Sequence, residues 1–151
     1  MQLAHYLALL HRAQAELGNA FRAVALQHAD EPDVQVISQR LGRQCDEHNR
    51  RLQPFVERYG QDENNEPNHL HSELFHGPRT GPLGLLRDLH DLYLMASHAD
   101  IAWTLIGQAA QGARDEMLLD VVSRCEAETS QQLRWLRTRM KQAAPQALIV
   151  A

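Results

Sequence analysis

The stretch from Gly60 to Pro82 reads GQDENNEPNHLHSELFHGPRTGP. It passes through the polar run Asp62 to Pro67 and closes on Gly77-Pro78-Arg79-Thr80-Gly81-Pro82, which is turn chemistry throughout. We therefore expect residues 60–82 to form a loop, with Leu70, Leu74 and Phe75 as a short packed turn inside it. The helical segment before it spans about 40 Å at a rise of about 1.5 Å per residue, whereas the extended loop reaches about 70 Å at about 3.3 Å per residue. Connections this long are uncommon unless they have a distance to cover. The stretch thus predicts a crossover from one end of a helical bundle to the other.

Working outward, apolar residues on both sides recur at three-and-four spacing. On the N-terminal side Leu3, Leu7, Leu10, Leu17, Phe21 and Val24 mark a helix over about 2–28. Asp30-Glu31-Pro32-Asp33 then supplies a capping side chain, a first-turn proline and acids suited to a helix start. The stripe Val34, Ile37, Leu41, Cys45, His48, Leu52, Phe55 and Tyr59 places a second helix over 33–59, with Gly60 as a left-handed C-terminal residue. Beyond the loop, 83–111 is apolar nearly all round and should be the most enclosed helix, ended by Gly112. The stripe Leu118, Val122, Cys125, Thr129, Leu133, Leu136 and Met140 marks a fourth helix over 113–144, which Pro145 should stop. The basic end of that helix, Arg134 to Lys141, reads as surface that complements the helix dipole. The short joins within each pair make two antiparallel hairpins, and the whole is an all-α four-helix bundle occupying residues 1–151 as one domain, with a tail over 145–151.

Composition narrows the function classes. The chain has 151 residues, 44% hydrophobic and 23% charged, with a formal net charge of −4, so it offers no field to draw a polyanion. Nucleic acid and anionic membrane recede as partners. Two cysteines are too few for a disulfide framework, the N-terminus carries no leader pattern, and Arg87, Asp88, His90, Asp91, His98 and Asp100 interrupt the most apolar segment, so a cytoplasmic protein is expected.

With a lengthwise crossover, Glu16, Cys45, His48, His98, Asp100, Cys125, Glu126 and Glu128 fall near mid-height, the level at which bundles build di-metal sites from inward carboxylates and imidazoles. Cys45-Asp46-Glu47-His48 followed by Arg51-Leu52, Phe55 and Tyr59-Gly60, together with Cys125-Glu126-Ala127-Glu128, two hairpins and a long crossover, resembles a ferritin-like bundle. The resemblance matches Glu16 to the single acid of the first helix and His48 to the histidine of the second. Cys45 stands where that family has a bridging glutamate, the third helix offers Asp91, His98 or Asp100 in place of its glutamate, and no histidine follows Cys125 or Glu126 by three residues.

Each residue also has a plainer reading. Glu47 shares a face with Arg40, Gln44 and Arg51 and reads as a solvated acid; Cys45 and Cys125 read as small core fillers. Glu16 lies among Ala13, Ala20 and Ala23, an edge-of-core setting open to solvent, a partner helix or a ligand. His48 is either a hydrogen-bonded core histidine or a ligand, and Asp91 and His98, placed on one strip with Leu94, Ile101 and Leu105, need buried partners or a metal. The loop histidines His69, His71 and His76, with Glu66 and Glu73, have the composition of a labile metal site.

Two functions compete. In the first, the ancestral site has degenerated into a polar layer and the bundle works without catalysis, as a homodimer or as an adaptor for another protein. The apolar tail Ala147-Leu148-Ile149-Val150-Ala151 favours docking of this kind. In the second, Glu16, His48, His98, Asp100, Glu126 and Glu128 supply ligands for iron, manganese or zinc, and the family resemblance implies ferroxidase or oxygen-activating chemistry. The missing glutamate and histidine favour the first.

Overall fold

In the computed structural model, residues 2–60 and 75–150 are described. They form four helices: α1 (Gln2–Gln27), α2 (Pro32–Gly60), α3 (Gly81–Gly112) and α4 (Glu116–Pro145). A single π-helical turn, Gln146–Val150, closes the chain. The helices lie within a few residues of their expected bounds, and α1 packs on α2 and α3, with α4 on α3 and α2.

Contacts between elements fix the directions. His28, in the α1–α2 turn, bonds to Asp88 near the start of α3, while Arg58 and Tyr59 at the end of α2 bond to Asp115 in the α3–α4 turn. The end of α2 and the start of α3 therefore lie at opposite ends of the bundle, and those two helices run parallel. Residues 61–74, including Leu70 and Leu74 of the expected packed turn, lie outside the described residues.

Several boundary expectations are corrected. Gly60 and Gly112 are the last residues of their helices, and the left-handed position of the α3–α4 turn is taken by Arg114 at φ 56°. The expected fourth-helix start at residue 113 gives way to that turn, in which Asp115 caps α4 by accepting the Leu118 amide at 3.1 Å. Pro145 does not end the helical path, because the π turn continues from it. The third helix is not the most enclosed: Leu83, Leu94, Ile101 and Leu105 face outward.

Where α1 and α2 cross, Gly18 and Gly42 allow close approach. A Cβ on Gly18 would lie 3.2 Å from Cys45 Cβ, and one on Gly42 would lie 3.3 Å from the Gly18 carbonyl. The core has two lobes. One, toward the α1–α2 turn, gathers Leu17, Phe21, Val24, Leu41, Leu89, Leu92 and Leu136. The other, toward the α3–α4 turn, gathers Leu7, Leu10, Leu52, Trp103, Ile106 and Leu118. Buried polar side chains separate them.

Candidate functional site

The layer between the lobes is built by three helices. On α1, Gln14 occupies the inward position between Leu10 and Leu17; on α2, His48 follows Cys45 by one turn; on α4, Thr129 and Gln132 follow Cys125 along the buried stripe. All are fully buried. His48 Nδ1 lies 3.1 Å from Gln14 Oε1, its ring meets Trp103 of α3 edge-on at a centroid distance of 5.7 Å, and its Nε2 lies 3.5 Å from Glu128 Oε1. That last contact is too long for a good hydrogen bond, and His48 Nε2, Gln14 Nε2, Trp103 Nε1 and Gln132 Oε1 are left buried without hydrogen-bond partners. Thr129 Oγ1 donates to the Cys125 carbonyl at 2.8 Å, and Gln132 Nε2 donates to Gln44 Oε1 at 3.0 Å.

Electrostatics follow from this burial. Because a charged ring loses its hydration, burial pulls the His48 pKa below the usual imidazole range despite the opposing pull of Glu128. Burial pushes both thiols up to about 12, helped at Cys125 by Glu128. As free, protonated cysteines they are neither nucleophiles nor ready ligands.

The six candidate ligands reach mid-height but not a common point. His48 and Glu128 meet. Glu126, two residues from Glu128 and so on another side of α4, accepts a hydrogen bond from Thr104 Oγ1 at 3.0 Å and adjoins Asp100, whose carboxyl is raised by burial and then by Glu126. Glu16 pairs with Arg12 at 3.4 Å and lines a groove of about 340 Å³ with Ala20, Ala23, Phe75 and Met95. His98 is half-buried on α3. Among the described residues no three His, Cys, Asp or Glu side chains gather into a group that could hold a metal ion. The loop residues Glu66, His69, His71 and Glu73 lie outside the described residues.

Glu47 pairs with Arg50 and Arg51. Asp91 pairs with Arg79 at 2.9 Å. The strip assigned to Asp91 and His98 is not core, since Leu94, Ile101 and Leu105 on it are exposed.

A second polar cluster, not anticipated from sequence, lies at the α1–α2 turn. Asp88 is fully buried and accepts from His28 Nε2 at 2.8 Å, from the Arg79 amide at 2.9 Å and from Arg79 Nη1 at 2.9 Å. Gly84 makes this possible, because a Cβ there would sit 3.0 Å from Arg79. Arg139, expected at the surface, is instead buried and ties the end of α4 to α2 through Asp33 at 2.7 Å and to Glu31 at 3.2 Å. Beside these residues a cavity of about 560 Å³ is lined by His28, Glu31, Pro82, Leu85, Arg139 and Gln146, among others.

Comparison of the chain with protein-family models, with curated proteins and with solved structures returns no match. No helix among the described residues is long and apolar enough to cross a membrane.

Proposed function

We propose that the chain is a divergent ferritin-like bundle that works without a catalytic metal, as an interaction module whose mid-height layer is structural. The observation that carries this reading is Gln14. A neutral amide stands on the inward stripe of α1 where a di-metal bundle needs a carboxylate, and its oxygen engages His48 Nδ1 at 3.1 Å. The layer then offers one imidazole and one carboxylate, which cannot balance two divalent cations. A di-metal centre does not fit these residues, and no oxidase chemistry is derived from them. The parallel run of α2 and α3 supports the same reading, because bundles of this type join such a pair by a long crossover.

One observation favours the alternative. With Nδ1–H donating to Gln14 Oε1, the lone pair on His48 Nε2 faces the Glu128 carboxylate, an arrangement that attracts a proton or a single cation such as iron, manganese or zinc. Elemental analysis of the full chain purified without chelator separates the two. The expected result is far less than one equivalent of each metal, and one equivalent retained through gel filtration would establish the alternative.

A further inference from the structure

The outer face of α3 is marked for a partner. Leu94, Ile101 and Leu105 are 42%, 60% and 47% exposed and, with half-buried His98, form one strip at i, i+4, i+7 and i+11, opposite buried Leu92, Ala96, Ala99 and Trp103. Charges flank the strip along its border with α4. On one side of mid-strip, Arg137 donates to Tyr93 Oη at 2.7 Å with its guanidinium 5.4 Å from the ring centroid, and it has no carboxylate partner among the described residues. On the other side, Thr104 holds Glu126 beside Asp100, two acids with no cation between them among the described residues.

Tyr93 and Thr104 are nearly equidistant in sequence from His98 and Ala99, so the cation and the acids sit at matching distances from one point. We infer that two copies of this chain pair through this face, α3 antiparallel to α3, about a two-fold axis that crosses the strip near His98. This operation lays Arg137 of each copy on Asp100 and Glu126 of the other. It sets Leu94 against the other copy's Leu105, with the two Ile101 side chains near the centre. The result is an apolar centre with a charged rim, as specific interfaces are built. A second copy is the occupant because the pattern is self-complementary under a two-fold, which is the requirement of an isologous interface and not of contact with an unlike protein. The inference deepens the proposal of an interaction module and rests on it.

The test is sedimentation or light scattering of the full chain over a concentration series. The expected species is a dimer whose Kd rises at least about tenfold in Ile101→Lys. Arg137→Glu and Glu126→Arg should each weaken it, and the two combined in one chain should restore it by re-forming the pair with signs exchanged. Helical circular dichroism should be unchanged in all four variants, because Ile101 and Arg137 are exposed and Glu126 is half-buried. A monomer at about 100 μM, a concentration well above that of an ordinary specific complex, overturns the inference, as does a dimer indifferent to Ile101→Lys and to the charge exchange. The metal analysis reads the other proposal independently. A metal-free monomer overturns only the α3 interface, and a dimer with one equivalent of metal overturns only the metal-free reading.

Discussion

His28 and His48 are both buried imidazoles facing a carboxylate, yet their surroundings differ in completeness. At the α1–α2 turn, the acid facing His28 is Asp88, with no exposed surface, and two further donors from Arg79 complete its shell. At mid-height, the acid facing His48 is Glu128, about a third exposed and 3.5 Å away, and four buried polar atoms around it go unpaired. The first cluster is a joint: it fixes the turn, the start of α3 and the segment before it against one another. The second is a spacer between two apolar lobes whose polar atoms are only partly paired. A polar group out of water must be bonded or it costs stability, so the two clusters should respond differently to the same kind of substitution.

The largest effect is expected at the joint. Asp88→Ala strands buried His28 and takes the acceptor from the Arg79 amide, while the Arg79 guanidinium keeps Asp91, and a broken buried pair of this kind costs about 3–5 kcal/mol. For a domain of this size the midpoint of thermal unfolding should fall by on the order of 10 °C. A fall of only a degree or two would show that water replaces Asp88, and the contrast between the clusters would collapse.

The spacer should be more forgiving. His48→Ala leaves a void beside Trp103 and removes the partner of Gln14, costing about 2–4 kcal/mol. Replacing both partners, Gln14→Leu with His48→Leu, removes the unmet Gln14 donor together with the unmet His48 acceptor and should bring stability within about 1 kcal/mol of wild type in urea titrations, since two apolar groups of similar shape can be nearly neutral. A double variant worse than the sum of the singles would mean that the layer is a cooperative network.

A smaller, pH-dependent effect sharpens the comparison. The His48 pKa lies below the usual value in the folded chain, so on acidification through about pH 6.5 the unfolded chain takes up a proton that the folded ring resists. The unfolded state then binds more protons, and stability falls as pH falls. The free energy of unfolding should drop between pH 7.5 and 5.5, and His48→Gln should remove part of that slope. An unchanged slope would assign the acid sensitivity elsewhere.

The sequence made the helices legible because three-and-four periodicity is strong over long segments, and the parallel α2 and α3 agree with the length of the segment between them. It hid some of the inward polar residues for a specific reason. Gln14 sits between Leu10 and Leu17, Asp88 between Leu85 and Leu92, and Gln132 between Thr129 and Leu136, each on a buried stripe where a polar residue reads as an interruption. On the stripes themselves Gln14, not Glu16, and Asp88, not Asp91, hold the buried positions. Glu126 and Glu128 needed their angular positions on α4, as well as their height, to be told apart. The exposed face of α3 escaped because an apolar helix reads as enclosed whether protein or solvent covers it.

The central claim, that the mid-height layer is structural and not a working metal centre, is tested most directly by thermal unfolding with added ferrous iron, manganese or zinc. A cation held at His48 and Glu128 would stabilise the folded chain by about 2.7 kcal/mol at a hundredfold excess over its Kd, raising the midpoint by roughly 5 °C or more. The account predicts no shift that depends on these residues, so wild type and the double variant His48→Ala, Glu128→Ala should respond alike to each ion. A rise in the wild type that disappears in that variant, while surviving replacement of His69 and His71, would contradict it.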